Sequence, residues 1–139
     1  MLEGAGWSNV AGASNDIGRV TREQVVAWDP EALVTLSPVF AASVRDDPVW
    51  RTRRDGRRRR LLLLPEQPFG WIDRPPSLNR LIGLAWLANI FHGAKSPFDI
   101  VKDTRAFYKL FYHVDVSDTD LGTLIAWADG KPPGMPARR

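Results

Sequence analysis

The sequence predicts an α/β fold with a small parallel sheet and a helix-rich C-terminal half. Two short continuous apolar runs, 32–36 and 61–64, alternate with capped helical segments, the pattern of parallel pairing. After the second run helix dominates the pattern, as far as Trp127. Two strands are few for a free-standing α/β domain, so the sheet is expected to be incomplete.

Each element has its own signal. Residues 1–20, rich in Gly, Ala, Ser and Asn, read as an irregular segment. Thr21-Arg22-Glu23-Gln24 has the form of a capping box. The helix it opens, with Val25, Val26 and Trp28 as its apolar face, should stop at Asp29-Pro30. Ala32-Leu33-Val34-Thr35-Leu36 has a β-branched centre and reads as a buried parallel strand. Ser37-Pro38 turns the chain into a short helix over 39–45, and Asp47-Pro48 starts another helical turn. Leu61 to Leu64, ahead of Pro65, reads as the second strand, although leucine is not a preferred strand former. Leu78, Leu81, Ile82, Leu84, Ala85, Trp86, Leu87 and Ile90 cover most of one helix's circumference, so that helix is expected to be buried on several sides. Ser96-Pro97 reads as the start of the next helix, running to about Tyr112. Ser117 caps a last helix through Trp127, and the tail from Gly130, with three prolines, is expected to be disordered.

The 139 residues have room for one domain and one core. With no cysteine, disulfides, thiolate metal sites and cysteine nucleophiles are excluded. The first residues lack a basic start followed by an apolar run, so no signal peptide is visible and the product as written is expected to be cytoplasmic. The apolar stretch over 81–91 is too short to span a bilayer. The net charge of +3 is local: residues 45–60 hold eight arginines against Asp46, Asp47 and Asp55, a balance of +5, which leaves −2 for the rest. The high pI therefore belongs to one segment and does not describe a generally basic surface.

The segment 68–84 is a proline-stiffened loop running into an apolar helix. Trp71 offers a flat apolar surface there, and Arg74, Asn79 and Arg80 offer donors. Two readings stand at this point: a ligand-facing loop, or a connection whose Trp covers the core. The Arg51–Arg60 cluster, with Trp50 nearby, has the composition of a nucleic-acid patch but no accompanying nucleic-acid module, so no nucleic-acid partner is expected. His92 and His113 lack Asp or Glu at helical ligand spacing, so neither makes a metal site, and His113 reads as a helix-end residue. Phe107, Tyr108, Phe111 and Tyr112 fit one helix face packed on a core. There is no Gly-rich phosphate loop or serine nucleophile elbow; no catalytic residue, metal or cofactor is assigned. An interaction module without a small ligand is the alternative from another class.

Residues 20–127 resemble the C-terminal lobe of ABC-transporter substrate-binding proteins of the helical-backbone class, which serve iron–siderophore, cobalamin and molybdate or tungstate uptake. The resemblance is carried by Glu23-Gln24-Val25-Val26-Ala27-Trp28-Asp29-Pro30, by Asp47-Pro48-Val49-Trp50, by the loop and helix from Pro68 to Leu87, and by the run from Phe107 to Asp115. It implies an incomplete three-layer Rossmann-like lobe over 21–129, between the irregular segment 1–20 and the tail 130–139. It also implies a non-enzymatic binding role, with a metal chelate (ferric siderophore, cobalamin) or an oxyanion held between two lobes and delivered to an ABC permease. Intact relatives would be periplasmic or at the cell surface. By resemblance the 69–74 loop, with Phe69, Trp71 and Arg74, and the 37–40 turn, with Ser37 and Phe40, face the ligand. Trp71 would be an apolar or cation-facing wall, and Arg74 would hold an anionic group bidentately.

The departures from that pattern are also specific. An N-terminal lobe, a linking helix and an export signal have no counterpart in the sequence, and a separate N-terminal lobe is a possible partner. The stretch from Arg53 to Leu64 keeps the family's length but not its wording, as a short compensated frameshift would produce. The chain is therefore expected to be a truncated copy that binds ligand weakly or not at all alone, because only one side of the ligand is covered.

Overall fold

A computed structural model describes residues 3–11, 19–72 and 77–126. The chain divides into two compact units, Ser8–Leu63 and the combination of Met1–Trp7 with Leu64–Arg139.

In the unit Ser8–Leu63, α1 (Arg22–Trp28) opens on the expected capping box. The Thr21 hydroxyl accepts from the Gln24 N–H at 3.2 Å, and the Gln24 side chain accepts from the Thr21 N–H at 2.8 Å. The helix stops at Asp29, which adopts a left-handed conformation with φ 44°. Strand β1 (Ala32–Thr35) follows, then α2 (Pro38–Arg45), α3 (Pro48–Arg51) and β2 (Arg60–Leu63). Ser37 and Asp47 cap α2 and α3, each followed by proline where a missing N–H costs nothing. The strands pair in parallel, Ala32 with Arg60 through Thr35 with Leu63. Leu61 and Leu62 are buried, as are Ala41 and Val44 on the inner face of α2. β1 departs from expectation: Val34 is 39% exposed and the rest of the strand is half-buried. Among the described residues the sheet has only these two strands, and a strand at the edge of so small a sheet keeps part of its apolar run exposed.

In the other unit, α4 (Asn79–His92) is buried on most sides, with Ile82, Ala85, Trp86, Leu87, Ala88 and Ile90 all in the core. It packs against α5 (Ile100–Tyr112) and against a 3-10 turn at Glu3–Ala5, inside the segment expected to be irregular. Trp7 stacks on Phe91 at 4.0 Å, and the His92 ring bonds the Ala5 carbonyl at 2.8 Å. The Trp86 indole donates to the Ile125 carbonyl at 3.1 Å, just past α6 (Asp118–Leu124).

Helix α5 begins later than its sequence suggests. Asp99 caps it, accepting from the Lys102 N–H at 3.1 Å, whereas the Ser96 hydroxyl serves Phe98 in a local turn. Ile100, Thr104, Phe107 and Tyr108 form its buried stripe, while Phe111 is 41% exposed. His113 ends the helix at φ 57°. Ser117 caps α6 as expected, but the helix ends at Leu124. Trp127 and the tail 130–139 lie outside the described residues.

Candidate functional site

The loop between β2 and α4 is held by side chains far from it in sequence. The Gln67 carbonyl accepts two hydrogen bonds, from the Trp71 indole N–H at 2.9 Å and from the Tyr108 hydroxyl. Two residues on, the Phe69 carbonyl accepts from the Asn79 side-chain amide at 2.8 Å. The other end of that amide accepts from the Tyr112 hydroxyl at 2.5 Å. The Trp71 N–H itself donates to the Pro65 carbonyl at 3.2 Å. Tyr108 and Tyr112 lie one helical turn apart, so α5 presents two hydroxyls to one strip of neighbouring structure. Burial is the main reason the Tyr108 phenol is pushed above its usual pKa of 10.0, with Tyr112 adding to the rise and Trp71 opposing it.

This network relocates the residue that the sequence offers as a ligand wall. Trp71 is fully buried at 0% exposure and its one donor is already used, so its indole is the loop's anchor and presents no surface. The reading in which this Trp covers the core describes its placement. Gly83 of α4 completes the seat, because a Cβ there would lie 2.1 Å from the Trp71 carbonyl oxygen. Asn79, read from sequence as a donor for ligand, is likewise fully buried and committed. The loop's exposed stretch is 66–69, and its one large apolar side chain there is Phe69, 50% exposed. Arg74 lies outside the described residues.

The second expected ligand turn belongs to the unit Ser8–Leu63. The Ser37 hydroxyl accepts from the Phe40 N–H at 3.1 Å, and the Ser37 N–H donates to the Thr35 hydroxyl at 3.0 Å. Phe40 is 36% exposed and meets Trp50 edge to face at 5.6 Å, and its neighbour Val39 is 80% exposed. The turn is thus a capped helix start with an apolar tip. The Arg22 Nη2 donates to both carboxylate oxygens of Asp47, at 2.8 and 2.7 Å.

A further constellation in this unit was not singled out from sequence. Arg59, 2% exposed, donates to the Pro30 carbonyl at 2.8 Å, to the Trp50 carbonyl at 2.8 Å and to the Asp29 carboxylate at 2.8 Å. Partial burial alone would raise the Asp29 pKa. The bonds from Arg59 and from the Arg54 N–H outweigh it and hold the carboxyl below its usual 3.8. One arginine of a run of four is therefore a structural pin. Only its position one residue ahead of a strand hinted at this. Among the described residues no three His, Asp or Glu side chains gather as metal ligands, and no helix is long and apolar enough to cross a membrane.

No family profile matches the chain, and no curated protein matches it. Two solved structures do. An ABC transporter solute-binding protein from Sulfurospirillum deleyianum is 34% identical over 76% of this chain, with a TM-score of 0.68. A periplasmic solute-binding protein from Veillonella parvula superposes on 86% of the chain with a TM-score of 0.71, and at 19% identity it speaks to the fold alone. The chain spans about a third of each: 32% of the first and 38% of the second. Over most of its length, then, the chain has the fold of one part of an ABC-transporter solute-binding protein, with an incomplete α/β lobe built on two parallel strands.

Proposed function

We propose that this chain is a ligand-binding, non-enzymatic part of an ABC uptake system, and that its ligand is a ferric siderophore, a related metal chelate or an oxyanion. The observation that carries the reading is the 34% identity to a solute-binding protein across three quarters of the chain. The loop architecture supports it. A binding loop must be rigid so that contact does not cost ordering entropy, and the Gln67 and Phe69 carbonyls are tied down by three side chains. In this reading Phe69, Ser37 and Phe40 touch the ligand, Arg74 supplies charge to an anionic group, and Trp71 sets the loop's shape from behind. An ABC permease is the partner that receives the ligand.

The test is a titration of the isotopically labelled chain, read by amide chemical shifts, with a ferric hydroxamate, a ferric catecholate, cobalamin and molybdate. Saturable shifts at residues 69–72 and 37–40, lost in Phe69→Ala, are expected for one of the four. Shifts at neither loop with any of them at millimolar concentration would overturn the reading. The exposed Val39, Leu81 and Leu110, at 80%, 60% and 67%, favour a second reading as an interaction module. Concentration-dependent sedimentation without any ligand effect would select it.

A further inference from the structure

The two-stranded sheet of the unit Ser8–Leu63 leaves the outer side of β1 open. The Arg60 N–H donates to the Glu31 carbonyl at 3.0 Å, and Ala32 pairs with Arg60 in parallel register. In such a ladder alternate residues turn their backbone groups to the neighbour, so Leu33 and Thr35 face β2. Ala32 and Val34 turn their N–H and C=O groups the other way, and among the described residues these groups meet no backbone partner. The strand also lacks the devices that keep an edge from pairing. No charge or proline interrupts 32–36, and the Val34 side chain is 39% exposed.

From this geometry we infer that β1 is an interface with a second copy of this chain, whose β1 adds to it antiparallel about a two-fold axis. Free N–H and C=O groups at every second residue fit an extended chain. Self-pairing satisfies them in one register. Ala32 stands opposite the partner's Val34, and Val34 opposite the partner's Ala32, each pair exchanging two hydrogen bonds. Leu33 meets the partner's Leu33 between them, and every outward group of both strands is used. The sizes also match, because the exposed Val34 side chain lies beside a methyl group on one face. On the other face the exposed Glu31 falls opposite the partner's Thr35. The Thr35 hydroxyl accepts from the Ser37 N–H at 3.0 Å and keeps its own proton to donate to that carboxylate. Pro30 falls opposite the partner's Leu36 and ends the ladder there, having no N–H to give. A two-fold contact of this kind closes at the dimer. The ladder is short, so the dimer is expected to be weak. The inference rests on β1 alone and is independent of the ligand reading above.

The experiment is sedimentation velocity of the full chain from about 10 µM to about 1 mM, with amide hydrogen exchange at both ends of the range. Sedimentation is repeated on Val34→Lys, Val34→Pro and Leu110→Lys. Val34→Lys sets two ammonium groups at diagonal positions of the paired strands. Val34→Pro removes only an outward N–H and leaves the bonds to β2 in place. Leu110, 67% exposed on α5, controls for diffuse apolar contact. A monomer–dimer equilibrium is expected, weakened about tenfold or more by either Val34 variant and less than about twofold by Leu110→Lys. Exchange at the Ala32 and Val34 amides of the parent should slow as concentration rises, whereas Leu33 and Thr35 keep the protection that β2 gives them. That result is read on the parent chain, so it stands if a variant fails to fold. A monomer throughout the range would overturn the inference, and so would equal losses in Val34→Lys and Leu110→Lys. A dimer whose Ala32 and Val34 amides stay unprotected would also overturn it and assign the contact to another surface.

Discussion

Gly83 lies directly against the backbone of Trp71, so close that a Cβ on residue 83 would sit 2.1 Å from the Trp71 carbonyl oxygen and 2.8 Å from its carbonyl carbon. A glycine in mid-helix ordinarily costs about 1 kcal/mol relative to alanine. Here the same absence of a side chain lets a loop backbone seat on α4. Backbone cannot swing aside as a flexible side chain can. Gly83→Ala is therefore expected to destabilise the protein by about 2 kcal/mol despite the gain in helix propensity. Denaturant unfolding checks it, and a midpoint at or above that of the parent would show that the loop does not rest on the helix.

The two tyrosines of α5 are expected to differ when each loses its hydroxyl. Tyr108→Phe leaves the Gln67 carbonyl with its bond from Trp71, so the loss is that of one shared hydrogen bond, about 1 kcal/mol. Tyr112→Phe takes a donor from the Asn79 side chain, which is fully buried, and is expected to cost about 2 kcal/mol. Equal effects in equilibrium unfolding would mean that Asn79 finds another donor.

Tyr108 also gives stability a high-pH signature. Its folded pKa is raised, chiefly by burial, so the folded state holds the phenolic proton more tightly than the unfolded chain does. That contribution is complete below the unfolded value near 10.0 and is lost as pH rises through the higher folded value. The stability difference between parent and Tyr108→Phe should be flat with pH below 10.0 and shrink above it. A difference that stays constant across the alkaline range would refute the assignment.

Asp29 supplies the opposite signature at acid pH. Its folded pKa is depressed, so its stabilising contribution is present in full above the ordinary 3.8 and disappears as pH falls through the lower folded value. Protonation weakens the partner of Arg59, whose guanidinium is 2% exposed and cannot recover its loss from water. Asp29→Asn should lower the unfolding midpoint at pH 7 and flatten the acid limb, as read by unfolding at a series of pH values. An unchanged acid limb would mean that another carboxylate controls it.

Local chemistry is what the sequence made legible. The Thr21, Ser37 and Asp47 side chains accept from the N–H groups of Gln24, Phe40 and Val49, all close in sequence, and each helix starts where its cap places it. Ser96-Pro97 has the same form but serves a turn, because Asp99 competes for the cap three residues later. The candidate site was less legible, since its determinants are long-range. Asn79 and Tyr112 are 33 positions apart and Gln67 and Tyr108 are 41 apart, and no periodicity connects them. Trp71 was conspicuous as an indole between prolines, and a sequence does not say which side of a loop an indole faces. Burial of β1 was overestimated for a related reason: an apolar run shows a preference for cover, while the cover itself must come from another element.

Phe69 and Trp71 are two residues apart in one loop and should separate shape from contact. Trp71 is fully buried with its donor satisfied, so Trp71→Ala empties a large core volume and is expected to cost about 4 kcal/mol, with loss of the loop's structure. Phe69 is 50% exposed, and Phe69→Ala should change stability by no more than about 0.5 kcal/mol. If the loop meets a ligand, the exposed ring carries that contact, so Phe69→Ala should abolish ligand-induced shifts in a chain that unfolds at the parent's midpoint. Binding that survives Phe69→Ala, in a protein of unchanged stability, would move the contact away from this loop and leave Trp71 with a purely architectural role.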